Sequence, residues 1–423
     1  MKGCVQVFDK EIEYDFLSGW IKFNRLQNGY SQDALAYGIC SKSHLSYFEN
    51  GKKTLRGEII ELLLKKLDIH EISEIENIGK LRQKFYTMML MVETYNFEEA
   101  TNIYNELLEM EDIIKISPYN IEYKIYQLLY NAFVLRESYN TLKQDIKAID
   151  NIYSSLTKEL KYIFLFVSAN VIYRYKSHEE GIEKLEKAMT IKKTPWANYI
   201  LGFTYCFNDR QLEGIYYLEK ALESYEKNGY YKNAMWCHNY LGVSHCALKH
   251  YNKGEYHLIT ALNGAKHFDI KNIYWHLYTN FSYLYFYKKD YEKSLTYAKK
   301  AMDLKKHPLL PAYNYAEACY HLNKMDEVDA IFEKYLVDEY KESIYYPFLE
   351  FLQLKIYHIN EDIFYKRTKE ILEYYNENNH TDILRDIRLG LIEHLERKRK
   401  YKEATIIYKK LLSMDDKITL IDE

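Results

Sequence analysis

The sequence has little proline and glycine, no global basic excess, no closely spaced cysteine pairs and no long apolar run. Five prolines and fifteen glycines in 423 residues lie well below average usage, whereas tyrosine alone contributes 46 residues. A chain with so few residues that break helices favours helices joined by short connections. The composition therefore predicts an all-α protein.

The net charge excludes one class of nucleic-acid-binding protein, and the cysteines indicate the redox setting of the chain. A formal charge of -3 at pH 7 excludes a protein that coats nucleic acid along its whole length, although a local basic patch is still compatible with it. The six cysteines show no short paired spacing, and no secretory leader is recognisable, so we expect a reduced, cytoplasmic setting. The most apolar run, residues 162–173, is interrupted by Ser168 and Asn170 and is too short to span a membrane.

Internal repeats organise most of the chain. Segments such as HEEGIEKLEKAM, YNKGEYHLITAL and YEKSLTYAKKAM each carry a small residue, followed about seven positions later by another small residue and then Leu or Met. The first small residues are Ala100, Gly181, Gly214, Gly254, Ser294 and Ala404, with Val328 in a looser position. The spacing of 33 to 40 residues from Gly181 to Val328, and the two longer gaps beside them, predict about nine helix pairs. No small residue falls in the expected place near 140 and 366.

These repeats resemble the tetratricopeptide repeat. The pairs Leu201-Gly202 and Leu241-Gly242 match its Leu-Gly pair, and Tyr205 matches the Tyr that follows. The resemblance implies a right-handed α-solenoid of about nine repeats over residues 80–417, with the first helix of each pair lining a concave inner wall.

Residues 1–70 follow a different pattern, and residues 71–79 are predicted to be a linker. Ser31 is placed to cap a short helix that Gly38 breaks, and Ser41 is placed to cap a further helix that Gly51 ends. Two short helices joined by a tight turn, with helices before and after, predict a helix-turn-helix bundle.

This bundle is similar to the Xre-type DNA-binding domain through the segments YSQDALA and SKSHLSYFENGKK. Its short GICS turn, residues 38–41, resembles the variant found in PlcR- and NprR-like proteins. Together with the repeats, the turn indicates an RRNPP-type peptide-sensing regulator. Asn24 departs from the apolar residue that the family has at this position.

A local charge of +4 supports DNA contact independently of the resemblance. Six cations lie between residues 19 and 56 against Asp33 and Glu49, and they are Lys22, Arg25, Lys42, Lys52, Lys53 and Arg56. The resemblance implies that Gln32 contacts phosphate, that the third helix reads the major groove, and that Arg25 and Glu49 form an internal ion pair. The predicted DNA-binding residues are Gln32, Ser41, Lys42, Ser43, His44, Tyr47, Lys52 and Lys53.

Asparagines and aromatics on the first helices of the repeats predict a peptide-binding groove. An asparagine amide both donates to and accepts from a peptide bond, so several of them can hold an extended backbone. The predicted peptide-binding residues are Asn170, Arg174, Tyr199, Phe203, Trp236, Asn239, Asn280 and Asn314. Two alternatives stay open: each amide bridges neighbouring helices, and Arg174 is a solvated surface residue rather than a partner for a peptide carboxylate.

The cluster CHNYLGVSHCALKH, residues 237–250, raises the question of a metal. Its His and Cys pairs point in different directions around one helix, so we predict no metal and no cofactor. The sequence has no Gly-rich phosphate loop, nucleophile elbow or HExxH motif, so we expect no enzyme.

The residues and the resemblance together predict a cytoplasmic quorum-sensing transcription regulator that binds operator DNA and a short signalling peptide. The resemblance and the usual two-fold symmetry of operators imply a homodimer. The alternative is a Rap- or NprR-like interaction protein that binds a phosphorelay response regulator and promotes its dephosphorylation.

Overall fold

The computed structural model describes residues 14–69, 78–115, 117, 119–208, 210–304, 306–377 and 381–415. These residues form helices and turns and no strand, which confirms the predicted all-α class. Most of the predicted linker lies outside the described residues. None of the helices in the described part is long and apolar enough to cross a membrane.

A bundle of four helices opens the chain. They are α1 Tyr14–Gln27, α2 Gln32–Ala36, α3 Lys42–Glu49 and α4 Gly57–Lys66. Trp20, Leu35, Leu45 and Leu63 have no exposed surface, so each helix contributes at least one side chain to a shared core. This arrangement is the predicted helix-turn-helix bundle.

Helix pairs make up the remainder of the described chain, and we number them as repeats 1 to 9. Their helices are α5 Ile78–Glu93 and α6 Phe97–Glu109, α8 Asn120–Tyr130 and α9 Tyr139–Asp150, α10 Lys158–Tyr175 and α11 His178–Ile191, α12 Pro195–Cys206 and α13 Gln211–Lys227, α14 Tyr231–Ala247 and α15 Tyr251–His267, α16 Tyr274–Tyr287 and α17 Tyr291–Asp303, α18 Leu309–His321 and α19 Met325–Tyr335, α20 Tyr346–Tyr357 and α21 Asp362–Glu377, α22 Thr381–Arg397 and α23 Tyr401–Asp415. The short helix α7, Glu111–Lys115, follows repeat 1. The described residues thus confirm the predicted number of repeats.

The small residues that define the repeat in the sequence occupy one structural position. Each is the fourth residue of the second helix of its pair, from Ala100 in α6 to Ala404 in α23. The two repeats without a small residue place Leu142 and Tyr365 there instead.

The small residues allow the two helices of a pair to touch backbone to backbone. A Cβ atom added to Gly254 would lie 2.5 Å from Cys246 Sγ and 3.0 Å from the carbonyl oxygen of Gly242. In repeat 6, where both positions are serines, Ser294 Oγ donates to the carbonyl oxygen of Ser282 at 2.9 Å. Only Gly or a small residue fits at such a crossing.

The chain divides into two compact units, Met1–Ala197 and Asn198–Glu423. In the first unit, α1 of the bundle packs against the repeats. Asn120 Nδ2 donates to Asn24 Oδ1 at 2.7 Å, and Asn24 Nδ2 donates to the carbonyl oxygen of Trp20 at 2.8 Å. Both asparagines are buried, and a Cβ atom on Gly19 would overlap Ser155. The unexpected polarity of Asn24 therefore matches a polar partner in repeat 2.

Repeat 2 departs from regular helix geometry. Its first helix continues into a π-helical turn, Asn131–Leu135, and ends at Arg136, whose φ of 56° is left-handed. The widened turn places Phe133 in an aromatic cluster, 5.7 Å from Phe166 and 4.8 Å from Trp196 between ring centroids. Such a turn is rare and is frequent at functional sites.

In the second unit, the core of the last repeats is aromatic. The rings of Tyr313 and Phe348 stack at 4.0 Å between centroids, and Phe351 packs against Phe364 at 6.2 Å. Tyr375 Oη donates to the carbonyl oxygen of Ile344 at 2.5 Å and so satisfies the polar end of a buried ring. Large side chains thus fill the core of repeats 7 and 8, which have Val328 and Tyr365 at the position where most other repeats have a small residue.

The helix crossing in repeat 5 can be tested with Gly254→Ala. We expect this variant to lose about 1–3 kcal/mol in its free energy of unfolding, because the new methyl group meets Cys246 Sγ. The measurement is urea unfolding. The double variant with Cys246→Ala should recover part of the loss, and equal costs of Gly254→Ala in both backgrounds would contradict the crossing.

The contact between the bundle and repeat 2 predicts a second stability effect. Asn24→Ala removes the buried acceptor of Asn120 Nδ2, so we expect a loss of about 1–3 kcal/mol on urea unfolding. Asn50→Ala is the matched control, because Asn50 is exposed and bonds only within its own helix turn, to the carbonyl oxygen of Ser46. Equal effects of the two variants would show that the buried pair contributes nothing.

Candidate functional site

Two serine caps and one glycine define α2, α3 and the turn between them. Ser31 Oγ accepts from the backbone N–H of Ala34, and Ser41 Oγ accepts from that of His44. Gly38 has a φ of 78°, a left-handed conformation in which a glycine carries no steric cost. The predicted caps and turn are therefore present.

A buried ion pair holds the three helices of the helix-turn-helix together. Arg25 Nε and Nη2 donate to the two carboxylate oxygens of Glu49 at 2.6 and 2.9 Å, and Glu49 has no exposed surface. Arg25 Nη1 also donates to the carbonyl oxygen of Tyr30, and Gln32 Nε2 donates to Glu49 Oε2, both at 2.8 Å. The ion pair implied by the resemblance is present. Gln32, predicted to contact phosphate, is partly exposed and is held by the same carboxylate.

The outer face of α3 carries the residues predicted to read DNA. Lys42, Ser43, His44 and Tyr47 are all exposed, whereas Leu45 on the opposite face is buried. Lys52 and Lys53 are exposed just beyond the helix, and the ammonium of Lys53 lies 5.7 Å from the centroid of the Tyr47 ring. The residues of α3 that the sequence predicts to read DNA are therefore exposed on one face of the helix, with the two lysines directly after it.

Lys42 also has an intramolecular partner. Its Nζ lies 2.6 Å from Asp33 Oδ2, and both side chains are more than half exposed. An exposed ion pair of this kind contributes little stability, so exchanging the carboxylate for a DNA phosphate costs little.

The predicted peptide-binding residues of the first unit lie on one face of α10. Asn170 is buried, and its Oδ1 has no hydrogen-bond partner among the described residues. Arg174, one turn later, is exposed and donates to the carbonyl oxygen of Ala132 at 3.4 Å.

The predicted asparagines of the second unit are connected to their neighbours. Asn280 Nδ2 donates to Asn239 Oδ1 at 2.9 Å, and Asn314 Nδ2 lies 3.5 Å from the carbonyl oxygen of Thr279. Asn239 has no exposed surface, and its Nδ2 has no partner in the described part of the chain. Asn280 is half-buried. Bridging between helices is therefore present, and peptide contact stays a prediction.

Aromatic side chains of α12 and α14 form a cluster around Tyr240. Tyr199 and Trp236 are buried, and Phe203 is half-buried. All three lie close to Tyr240, with ring centroids 6.1, 6.1 and 4.8 Å away in the order Tyr199, Trp236 and Phe203. Sequence reasoning missed Tyr240, although its position four residues after Trp236 places it on the same helix face.

A second missed feature is the half-buried carboxylate of Glu317 on α18. Burial raises the pKa of Glu317 to about 7, and the charge of Asp386 acts in the same direction, against Lys355 and a hydrogen bond from Tyr313. Its position three residues after Asn314 on α18 places it on the same face as the predicted asparagines. A single sequence offers no sign of the carboxylate and lysine that α22 and α20 bring near it.

The histidines of repeat 5 form a stack between α14 and α15. His238 Nδ1 and His257 Nδ1 are 2.9 Å apart, and the rings of His245 and His257 stack at 5.4 Å. Burial lowers the pKa of all three, and that of His257 falls to about 4, with the charges of His238, His245 and Lys253 adding to the effect. In the part of the chain that the structure describes, no group of three or more His, Cys, Asp or Glu side chains is arranged to hold a metal ion.

Three comparisons place these features among known proteins. Residues 21–72 match the helix-turn-helix family model. The transcriptional activator NprA of Geobacillus stearothermophilus is 24% identical over an alignment of 201 residues that covers 44% of this chain and 48% of that protein. The chain thus spans about half the length of the curated relative that it matches.

Solved structures resemble a larger share of the chain. NprR in complex with its cognate peptide NprX has a TM-score of 0.60 and 15% identity, over 82% of this chain and all of that one. A Rap protein complexed with competence and sporulation factor has a TM-score of 0.69 and 13% identity, over 80% of this chain and 99% of that one. Taken with the helix-turn-helix family match and NprA, these likenesses confirm the predicted resemblance to RRNPP-type regulators. At such low identity, the two structures show the fold of the chain alone.

The histidine stack predicts a stability that depends on pH. Because burial lowers the pKa of His238, His245 and His257 below that of the unfolded chain, the unfolded state takes up protons first as the pH falls. We expect the melting temperature to fall from about pH 6.5 towards pH 4, roughly the interval between the unfolded and folded pKa of His257.

His257→Gln tests this expectation, since it removes the histidine whose pKa is lowered to about 4. The slope of melting temperature against pH should become shallower in the variant. The carboxylate of Glu226 lies 3.5 Å from His238 Nε2 and is present in both proteins, so it does not account for the difference between their slopes. His267→Gln on the same helix is the control, because its ring is exposed and outside the stack. An unchanged slope in His257→Gln would contradict the assignment.

Proposed function

We propose that this chain is a transcription regulator that binds operator DNA through α3 and a short signalling peptide through the first helices of its repeats. The observation that carries the DNA part is the exposed polar face of α3, held in place by the buried pair of Arg25 and Glu49. A rigid helix with a basic, hydrogen-bonding outer face suits the major groove. NprA, a transcriptional activator by name, supports this proposal.

The peptide part is supported by unsatisfied amide groups on the inner helices. Asn239 Nδ2 and Asn170 Oδ1 are buried without a partner in the described residues, and each such group costs about 1–3 kcal/mol. A peptide backbone offers both the acceptor and the donor that these atoms lack. NprR was solved with its cognate peptide, and the Rap protein with competence and sporulation factor.

We further propose a cytoplasmic homodimer without an active site of its own. Operators read by helix-turn-helix proteins usually have two-fold symmetry, and a dimer matches two half-sites one helical turn apart. Peptide binding would then favour one spacing of the two DNA-reading bundles over another.

Lys42→Ala tests DNA binding by the full-length protein. With a duplex taken from upstream of the chain's own coding sequence, we expect affinity to fall about tenfold, because α3 loses a donor to a base edge or phosphate. Lys65→Ala is the matched control, since Lys65 is an exposed lysine of the same bundle that lies on α4. Binding should also weaken steeply with salt in the unsubstituted protein.

Two outcomes would contradict the proposal. One is equal affinity of the Lys42→Ala and Lys65→Ala variants, and the other is the absence of salt-sensitive binding to any duplex selected from a random pool. If Lys42→Ala loses DNA binding but still promotes dephosphorylation of a phosphorelay response regulator, the alternative function as an interaction protein is favoured instead.

A further inference from the structure

Two unsatisfied amide oxygens lie on adjoining elements of the first unit, where repeat 3 packs against the π-helical turn of repeat 2. One belongs to Asn131 at the start of the π-helical turn, and the other to Asn170 on α10. Both oxygens are buried and have no hydrogen-bond partner among the described residues. Each oxygen is an acceptor that an N–H or O–H donor of a ligand could satisfy.

The face of α10 that carries Asn170 is turned towards the π-helical turn. Phe166, Asn170 and Arg174 follow at intervals of four residues and so share one side of the helix. Phe166 stacks on Phe133 at 5.7 Å, and the Arg174 guanidinium carbon lies 5.8 Å from the centroid of the same Phe133 ring. Asn170 therefore lies between two side chains that both contact the turn.

Arg174 adds a positive charge at the exposed end of this face. It is exposed and donates to the carbonyl oxygen of Ala132 at 3.4 Å, a long hydrogen bond that exchanges readily. A guanidinium has five N–H donors in a fork that matches the two oxygens of a carboxylate.

We propose that Asn131, Asn170 and Arg174 form a subsite for the carboxyl-terminal end of a peptide. The carboxylate is held by Arg174, the last backbone N–H groups donate to the two amide oxygens, and the last side chain lies against Phe133 and Phe166. This inference rests on the proposed peptide binding and adds the direction in which the peptide lies in the first unit.

The donor and acceptor pattern selects this group over other ligands. An ionised carboxylate with no N–H group beside it would satisfy Arg174 but would bring only acceptors to the two amide oxygens. A peptide end carries N–H donors within one residue of its carboxylate, so it satisfies both kinds of group. An acidic side chain within a peptide could also reach Arg174, and this source of carboxylate is distinguished by the experiment below.

Entry requires Arg174 to turn away from Ala132. The side chain is exposed, whereas Asn170 is 4% exposed, so the incoming carboxylate meets the guanidinium first. Rotation of Arg174 then uncovers the amide of Asn170, one helical turn before it.

The test uses full-length protein and a randomised library of synthetic heptapeptides in two forms, one with a free terminal carboxylate and one with a carboxamide. Peptides retained by the protein are identified by mass spectrometry. We expect the unsubstituted protein to enrich the carboxylate form by roughly tenfold or more, as a charge-assisted hydrogen bond implies. Arg174→Gln should lose this preference, and Arg174→Lys should keep part of it.

Arg136→Gln is the matched control. It makes the same change of charge at the exposed residue that ends the π-helical turn. The backbone carbonyl of Arg136, which accepts from Tyr175 Oη at 2.9 Å, is kept by the substitution. It should therefore keep the preference of the unsubstituted protein. Melting temperatures of all variants identify any that fail to fold, and Arg174→Lys then carries the comparison.

The remaining outcomes separate the subsite from peptide binding itself. Equal retention of the two forms by the unsubstituted protein, or loss of the preference in Arg136→Gln as well, would overturn the subsite while leaving peptide sensing in place. Retention of carboxamide peptides that share an Asp or Glu would also overturn it, in favour of an acidic side chain. Retention of no peptide in either form would overturn the proposed function and the subsite together.

Discussion

In most repeats, small residues bring the two helices close enough to touch along their backbones. At Gly242 and Gly254, and at Ser282 and Ser294, backbone meets backbone with no room for a larger side chain. Packing this tight leaves each first helix little freedom to rotate. The residues one turn away, among them Asn239, therefore face their neighbours in a defined register. The polar series is a consequence of the small-residue positions.

A different constraint orders the DNA-reading bundle. Taking Arg25 and Glu49 out of water is expensive, and their attraction compensates only when geometry is good and the remaining polar atoms are bonded. Both conditions hold here, since the pair is bidentate and Glu49 also accepts from Gln32. Because α1, α2 and α3 each supply one of these three residues, the pair sets the angle at which α3 is presented. Its value is in orientation rather than in stability alone.

Local and periodic features were readable from the sequence. The caps at Ser31 and Ser41, the helix break at Gly38 and the nine helix pairs depend on residues close along the chain or on a repeated spacing. The exposed face of α3 follows from the same periodicity.

Features that depend on distant partners could not be predicted. Asn24 looked like a departure from its family because its partner, Asn120, lies 96 residues away. The π-helical turn at Asn131–Leu135 has no recognisable signal in its residues. The surroundings of Glu317 are likewise set by α20 and α22, so its raised pKa follows from tertiary packing.

The burial of the asparagines in the second unit sets the order in which a ligand would reach them. Asn280 is half-buried, whereas Asn239 behind it has no exposed surface, so a peptide would meet Asn280 first. Asn280 already donates to Asn239 Oδ1, and Asn239 Nδ2 lacks an acceptor. A peptide carbonyl can satisfy that donor only if the two amides rearrange together, which couples α14 to α16. An amide pair that is incompletely satisfied without ligand, on helices too tightly packed to move alone, is a physical basis for transmitting binding along the repeats.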